Sequence, residues 1–164
     1  MNVNDTYFLN LALEQAQKAY ALGEVPVGAV LTLENKIIAQ GFNTKETQKN
    51  PLGHAEIEVI QKAATKQKSW RLENTTLYVT LEPCLMCAGA LLQARVERLV
   101  YGCKDPKAGA VTSLYTILND PRLNHVVEVT GGVLEQECQK LLQQFFKELR
   151  RGVRVAEGAR LESV

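Results

Sequence analysis

Apolar side chains recur at intervals of three and four from Asp5 to Leu22: Phe8, Leu9, Ala12, Leu13, Ala16, Ala19 and Tyr20. That period places them on one face of a helix, which Gly23 is suited to end. Shorter apolar runs follow. Val27 to Leu33 and Lys36 to Gly41 read as a hairpin turning at Glu34-Asn35. A polar loop, Asn43 to Gly53, leads into a helix from His54 to about Lys66, with Ile57, Ile60 and Ala64 on one side. Thr76 to Thr80 reads as a strand. Glu82-Pro83-Cys84 then opens a helix to about Arg95, with Pro83 tolerated in its first turn. Arg98 to Tyr101 reads as a strand, a long loop rich in turn residues follows, and Val126 to Thr130 reads as a further strand. The last helix runs from about Leu134 to Arg151. Its stripe is Leu134, Cys138, Leu141, Leu142, Phe145 and Leu149, and Gly152 can cap it. The order α-β-β-α-β-α-β-β-α predicts a mixed sheet with helices on both faces.

The length, 164 residues, fits one domain, and 46% hydrophobic residues supply a core. No apolar run approaches the roughly 18 residues of a membrane helix. The start, Met1-Asn2-Val3-Asn4-Asp5, lacks a basic segment followed by an apolar one, so a soluble cytoplasmic protein is expected. That compartment makes disulfides among the four cysteines unexpected. Cys103 and Cys138 read as small apolar filler. A net charge of +1 excludes a globally attractive surface for nucleic acid. Any such binding must rest on a local cluster, of which Lys147, Arg150, Arg151 and Arg154 form the clearest.

The chemistry concentrates in two short segments. His54-Ala55-Glu56 and Pro83-Cys84-Leu85-Met86-Cys87 offer three zinc ligands and one carboxylate that need not be a ligand. Structural zinc usually takes four protein ligands, whereas a catalytic site keeps one position for water. His54, Cys84 and Cys87 leave that position open, and no second CxxC exists to close it. Cys84 and Cys87 share a face at a helix start, whose positive end favours thiolates. His54 opens another helix, so the two helix ends are expected to meet over one metal ion. Zinc lowers the pKa of bound water to about 7, and Glu56 is placed to carry protons between that water, a ring nitrogen and a departing ammonia. Soft thiolate ligands favour zinc over harder ions.

The two segments match H-x-E…P-C-x-x-C, the established signature of zinc nucleobase deaminases, tRNA adenosine deaminases among them. The chain also resembles the bacterial tRNA-specific adenosine deaminases over a longer span. The resemblance runs through Glu24-Val25-Pro26-Val27-Gly28-Ala29-Val30, Gly41-Phe42-Asn43, His54-Ala55-Glu56-Ile57 and Thr76 to Cys84. It continues through Met86-Cys87-Ala88-Gly89-Ala90 and Lys104-Asp105-Pro106-Lys107-Ala108-Gly109-Ala110, and ends near Phe145-Phe146-Lys147.

The resemblance implies a three-layer α/β/α cytidine-deaminase-like fold with a central mixed sheet of about five strands. The deaminase domain is expected over residues 1–152, and the polar tail, 153–164, extends past the resemblance and is expected to fray. It implies one zinc ion per subunit on His54, Cys84 and Cys87, with Glu56 as proton shuttle. It implies a homodimer that binds a tRNA anticodon stem-loop across both subunits and converts its wobble adenosine to inosine. Asn43 corresponds to a nucleoside contact, Asp105 and Lys107 to the loop that holds splayed anticodon nucleotides, and Phe146, Lys147 and Arg150 to the RNA-facing end of the last helix.

Blander readings stand beside these. Asn43 and Asp105-Pro106 are also good turn formers, Phe146 can be core, and the terminal cations can be a solvated helix end. Gly53 and Cys103 depart from the Ala and the small residue usual at those positions of the family. Two other functions compete. One is a small-molecule deaminase acting on guanine, cytosine or a cytidine nucleotide, which needs the same zinc motif and no basic last helix. The other is a non-catalytic zinc-stabilised interaction module, such as an RNA-binding scaffold, against which Glu56 argues, since structural zinc needs no proton shuttle.

Overall fold

In the computed structural model, residues 3–152 are described. Their elements are α1 (Val3–Ala21), β1 (Gly28–Leu33), β2 (Lys36–Phe42), α2 (Ala55–Gln67), β3 (Thr75–Leu81), α3 (Leu85–Ala94), β4 (Arg98–Cys103), a 3-10 turn (Ile117–Asn119), β5 (Glu128–Thr130) and α4 (Glu135–Arg150). The strands form one sheet in the order β2-β1-β3-β4-β5. β1 is antiparallel to β2 and β3, while β3, β4 and β5 run parallel. This is the five-stranded mixed sheet and α/β/α layering that the resemblance implies.

Alternation along the central strands builds two cores. Ala29, Leu31, Leu77, Val79, Leu99 and Tyr101 face α2 and α3. Val30, Tyr78 and Val100 face α1 and the start of α4, where Phe8, Leu9, Ala12 and Cys138 meet them. The hairpin turns at Glu34 and Asn35, both in the left-handed region that twists a two-residue turn to suit its strands. Across the sheet, Arg98 donates two parallel hydrogen bonds to buried Asp5, at 2.7 and 2.8 Å, tying α1 to β4.

Two local expectations need correction. The inward line of α2 is Ala55, Val59 and Ala63, not Ile57, Ile60 and Ala64, which are half-buried at its flank. Small residues let this helix approach β2 closely, and the larger Ile side chains take the edge. α3 starts at Leu85, with Cys84 as its extended N-cap, so Pro83 precedes the helix instead of occupying its first turn. The Pro83 carbonyl accepts the N–H of Ala110 at 2.9 Å, a partner from the long loop after β4. That loop is itself ordered. Leu118 is fully buried, and His125 Nε2 donates to the Val96 carbonyl at 2.7 Å.

Candidate metal and active site

Strand direction collects the site at one end of the sheet. Because β1 opposes β3, the beginning of β1 and the ends of β2, β3 and β4 share that end. Val27, Asn43, Leu81 to Cys84 and Asp105 are brought there, as expected for ligands beyond the carboxyl ends of parallel strands. The starts of α2 and α3 complete the wall. Together they enclose a cleft of about 230 Å³, lined among others by Asn43, Lys45, His54, Glu56, Cys84 and Asp105.

His54 is the extended N-cap of α2 and Cys84 that of α3, with Cys87 in the first turn of α3. The two helix ends do meet. The candidate ligand atoms of His54, Cys84 and Cys87 all lie within 4.8 Å of one another. Tetrahedral zinc, with Zn–S of about 2.3 Å and Zn–N of about 2.0–2.1 Å, sets sulfur and nitrogen about 3.6 Å apart. Here Nδ1 of His54 lies 3.6 Å from Cys84 Sγ and 3.5 Å from Cys87 Sγ. The trio is thus already spaced for one small tetrahedral ion, and among the described residues it is the group able to hold a metal.

The electrostatics favour the same conclusion. The Cys87 thiol, followed by His54, holds the Cys84 sulfur as a thiolate and brings it down to about 4, against a burial penalty. Cys87, the donor in that pair and itself buried, keeps its proton and is pushed up. The hydrogen bond to Cys84 raises the His54 imidazole against burial. Two sulfurs and an imidazole nitrogen thus crowd one another in a way that a bound divalent cation would relieve. Burial pushes Glu56 up to about 7, with His54 pulling the other way. Glu56 is only 4% exposed, and it faces the cleft.

The expected substrate residues separate into two groups. Asn43 and Asp105 line the cleft. Both also hold turns by hydrogen bonds to nearby backbone. Asn43 donates through Nδ2 to the Val25 carbonyl and accepts the Lys45 N–H at Oδ1. Asp105 Oδ1 accepts the N–H groups of Lys107 and Ala108. Lys107 is exposed beside the cleft and outside its lining. Phe146, Lys147 and Arg150 lie in the last turns of α4, also outside the lining. Phe146 is half-buried, its ring edge-on to buried Phe145 at 5.3 Å, whereas Lys147 and Arg150 are exposed. Arg154 lies outside the described residues.

Two buried carboxylates, Glu24 and Glu82, flank the cleft, and no motif in the sequence singles them out. The available signal was a glutamate within two residues of a proline beside an apolar strand, Glu24-Val25-Pro26 before β1 and Leu81-Glu82-Pro83 after β3.

Residues 3–150 match the MafB19-like deaminase family. The tRNA-specific adenosine deaminase of Bacillus subtilis strain 168 is 47% identical over 152 residues, 93% of this chain and 94% of that one. This chain belongs to the tRNA-specific adenosine deaminase family. The family member of Haemophilus influenzae is also 47% identical, over 98% of this chain and 92% of its own. Among solved structures, one from work on A-to-I editing by tRNA:A34 deaminases at the wobble position superposes with a TM-score of 0.80 at 43% identity, covering 83% of this chain and 99% of the other. A guanine deaminase from Nitrosomonas europaea superposes with a TM-score of 0.74 at 22% identity, over 85% of this chain and 83% of its own. That second likeness is one of fold. The family membership makes this chain a deaminase with the three-layer cytidine-deaminase-like fold.

Proposed function

We propose that this protein is a zinc-dependent hydrolytic deaminase that converts the wobble adenosine of tRNA to inosine and releases ammonia. The observation that carries the reading is the placement of buried Glu56 in one cleft with His54 and Cys84, whose ligand atoms cluster with that of Cys87. The names of the relatives, matched over nearly their whole length, direct that chemistry to tRNA adenosine.

His54, Cys84 and Cys87 would hold one zinc ion, which supplies Lewis-acid activation of water near neutral pH. Glu56 takes the proton from the attacking water as the water oxygen bonds to C6 of the purine. It gives that proton to N1, then takes the proton of the new C6 hydroxyl and delivers it to the exocyclic nitrogen as the C6–N6 bond breaks and the C6 carbonyl forms. Water and adenosine are consumed, and inosine and ammonia are formed. A side chain held near 7 can take and give protons at neutral pH with little penalty in either direction.

A base must leave its stack to reach such a cleft, and an anticodon loop offers one at low cost. Asn43 and Asp105 are assigned to the everted nucleoside, Lys107 to its neighbours, and Phe146, Lys147 and Arg150 to the RNA backbone. A homodimer is proposed as well. Leu52, Leu85, Leu114 and Tyr115 are each more than half exposed and lie within a few residues of site residues, where a second copy would cover them. Among the described residues no helix is long and apolar enough to cross a membrane, and a tRNA substrate suits the cytoplasm.

Ammonia release by the zinc-loaded protein tests the substrate class. A tRNA transcript with wobble adenosine is offered against free guanine, cytosine and a cytidine nucleotide. Release from the transcript alone is expected. Release from a free base or nucleotide, with the transcript untouched, would replace this reading with a metabolic deaminase.

A further inference from the structure

The chemistry above uses neither Glu24 nor Glu82, yet both are buried at the cleft, 0% and 2% exposed. A buried carboxylate is costly unless donors saturate it. Glu82 leaves β3 directly beneath the loop that follows β4. Its Oε1 accepts the N–H of Asp105 at 3.0 Å and the hydroxyl of Ser113 at 2.6 Å. Its Oε2 accepts the N–H groups of Val111 at 3.1 Å, Thr112 at 2.7 Å and Ser113 at 2.9 Å. All five donors belong to residues 105–113, the segment that presents Asp105 and Ala108 to the cleft. Gly109 crosses the carboxylate so closely that a Cβ there would stand 2.3 Å from Glu82 Cδ. The loop has been drawn down onto this one side chain.

Glu24 does the same on the other side. Its Oε1 accepts the N–H of Glu46 at 3.1 Å, and its Oε2 accepts the N–H and the hydroxyl of Thr47 at 2.6 and 2.7 Å. That segment presents Lys45 and Glu46 to the same cleft. Two loops lacking regular structure thus form facing walls, and each is held from below by one carboxylate whose oxygens are committed to it.

We propose that Glu82 and Glu24 are positioning residues that set the substrate cleft by anchoring its two walls, Glu82 the wall 105–113 and Glu24 the wall 44–47. The inference rests on the reading that this cleft receives the nucleoside. Glutamine cannot replace either residue. Its amide has one acceptor oxygen, and its NH2 group would face backbone N–H donors, one or three of them at position 82 depending on its orientation.

The test uses the zinc-loaded protein and the variants Glu82→Gln, Ser113→Ala and Glu24→Gln. Amide hydrogen exchange is read along both walls, together with metal content and steady-state kinetics on the tRNA transcript. In Glu82→Gln, exchange at Val111, Thr112 and Ser113 is expected to accelerate about 100-fold, with the 44–47 wall and the metal content unchanged. The KM for tRNA is expected to rise about 10-fold with kcat little altered, as for lost positioning of bound substrate. Glu24→Gln is expected to loosen residues 44–47 alone. Ser113→Ala removes one donor of five, leaves the fold intact, and is expected to produce a smaller effect of the same kind should Glu82→Gln not fold. General loosening of both walls by either glutamine variant, unchanged exchange, or a fall in kcat at constant KM would overturn the proposal. The exchange measurement needs no substrate. Wall-specific loosening in a protein that leaves tRNA untouched would therefore refute the tRNA reading and keep the anchoring.

Discussion

Nδ1 of His54 stands 3.5 Å from Sγ of Cys87, across 33 residues of chain. Two helix starts on neighbouring segments produce that approach, and it separates the four cysteines into two classes. Cys84 and Cys87 join His54 in the ligand trio, while Cys103 and Cys138 are buried in the core that α1 and the start of α4 form with the sheet. A thiol reagent at about pH 8 attacks thiolates that it can reach. The zinc-loaded native protein is expected to show no fast-reacting thiol, the chelated native protein one, Cys84, because Cys87 is buried and holds its proton, and the denatured protein four. Fast reaction of more than one thiol in the chelated, still folded protein would contradict this expectation.

Glu56 is expected to matter to turnover and not to the fold. Glu56→Gln keeps the volume and removes the base, so kcat is expected to fall by about 10²- to 10⁴-fold with metal content unchanged. Metal analysis and single-turnover kinetics on one preparation check this. Near-native kcat would remove Glu56 from the proton path.

Lys147 and Arg150 project from the last turn of α4 and contribute nothing to the cleft. If they contact phosphates, the double variant to alanine weakens tRNA binding. It also flattens the slope of log K against log salt concentration by about one per lost contact. Ammonia release from a minimal nucleoside substrate would be unaffected. A slope equal to that of the parent would move the RNA surface elsewhere.

Burial pushes Cys103 from its ordinary 9.0 up to about 11, and burial together with the Asp5 charge pushes Tyr78 from 10.0 to about 12. Both groups hold their protons more tightly folded than unfolded. Their contribution is therefore complete below the unfolded values and is lost as pH rises through the folded ones. Urea midpoints are expected to fall between about pH 9 and pH 12, and Cys103→Ala is expected to flatten the lower part of that decline. A midpoint constant through that window would contradict the burial of these groups.

Most of the site could be read from the chain because its ligands occur in two short segments whose spacing is local: His54 with Glu56, and Cys84 with Cys87. The outer helices were legible for the same reason. In α1, the buried Phe8, Leu9, Ala12, Ala16 and Ala19 keep a strong helical period, and in α4 Cys138, Phe145 and Leu149 do. The inward face of α2 was not legible. Ile57 and Ile60 are the larger apolar residues, but the close approach to the sheet selects Ala55, Val59 and Ala63. Nor were Glu24, Glu82 and the Asp5–Arg98 pair, because each acquires its meaning from partners 22 to 93 residues away. A carboxylate that satisfies a distant loop has no period and no motif of its own.

The central claim is tested most directly by sequencing the product. A tRNA transcript with adenosine at the wobble position is incubated with the zinc-loaded protein, and inosine is mapped nucleotide by nucleotide. Inosine at the wobble position, absent with Glu56→Gln, is the expected result. Adenosine retained at that position, under conditions where the same preparation binds its metal and releases ammonia from a free base or nucleotide, would contradict the assignment.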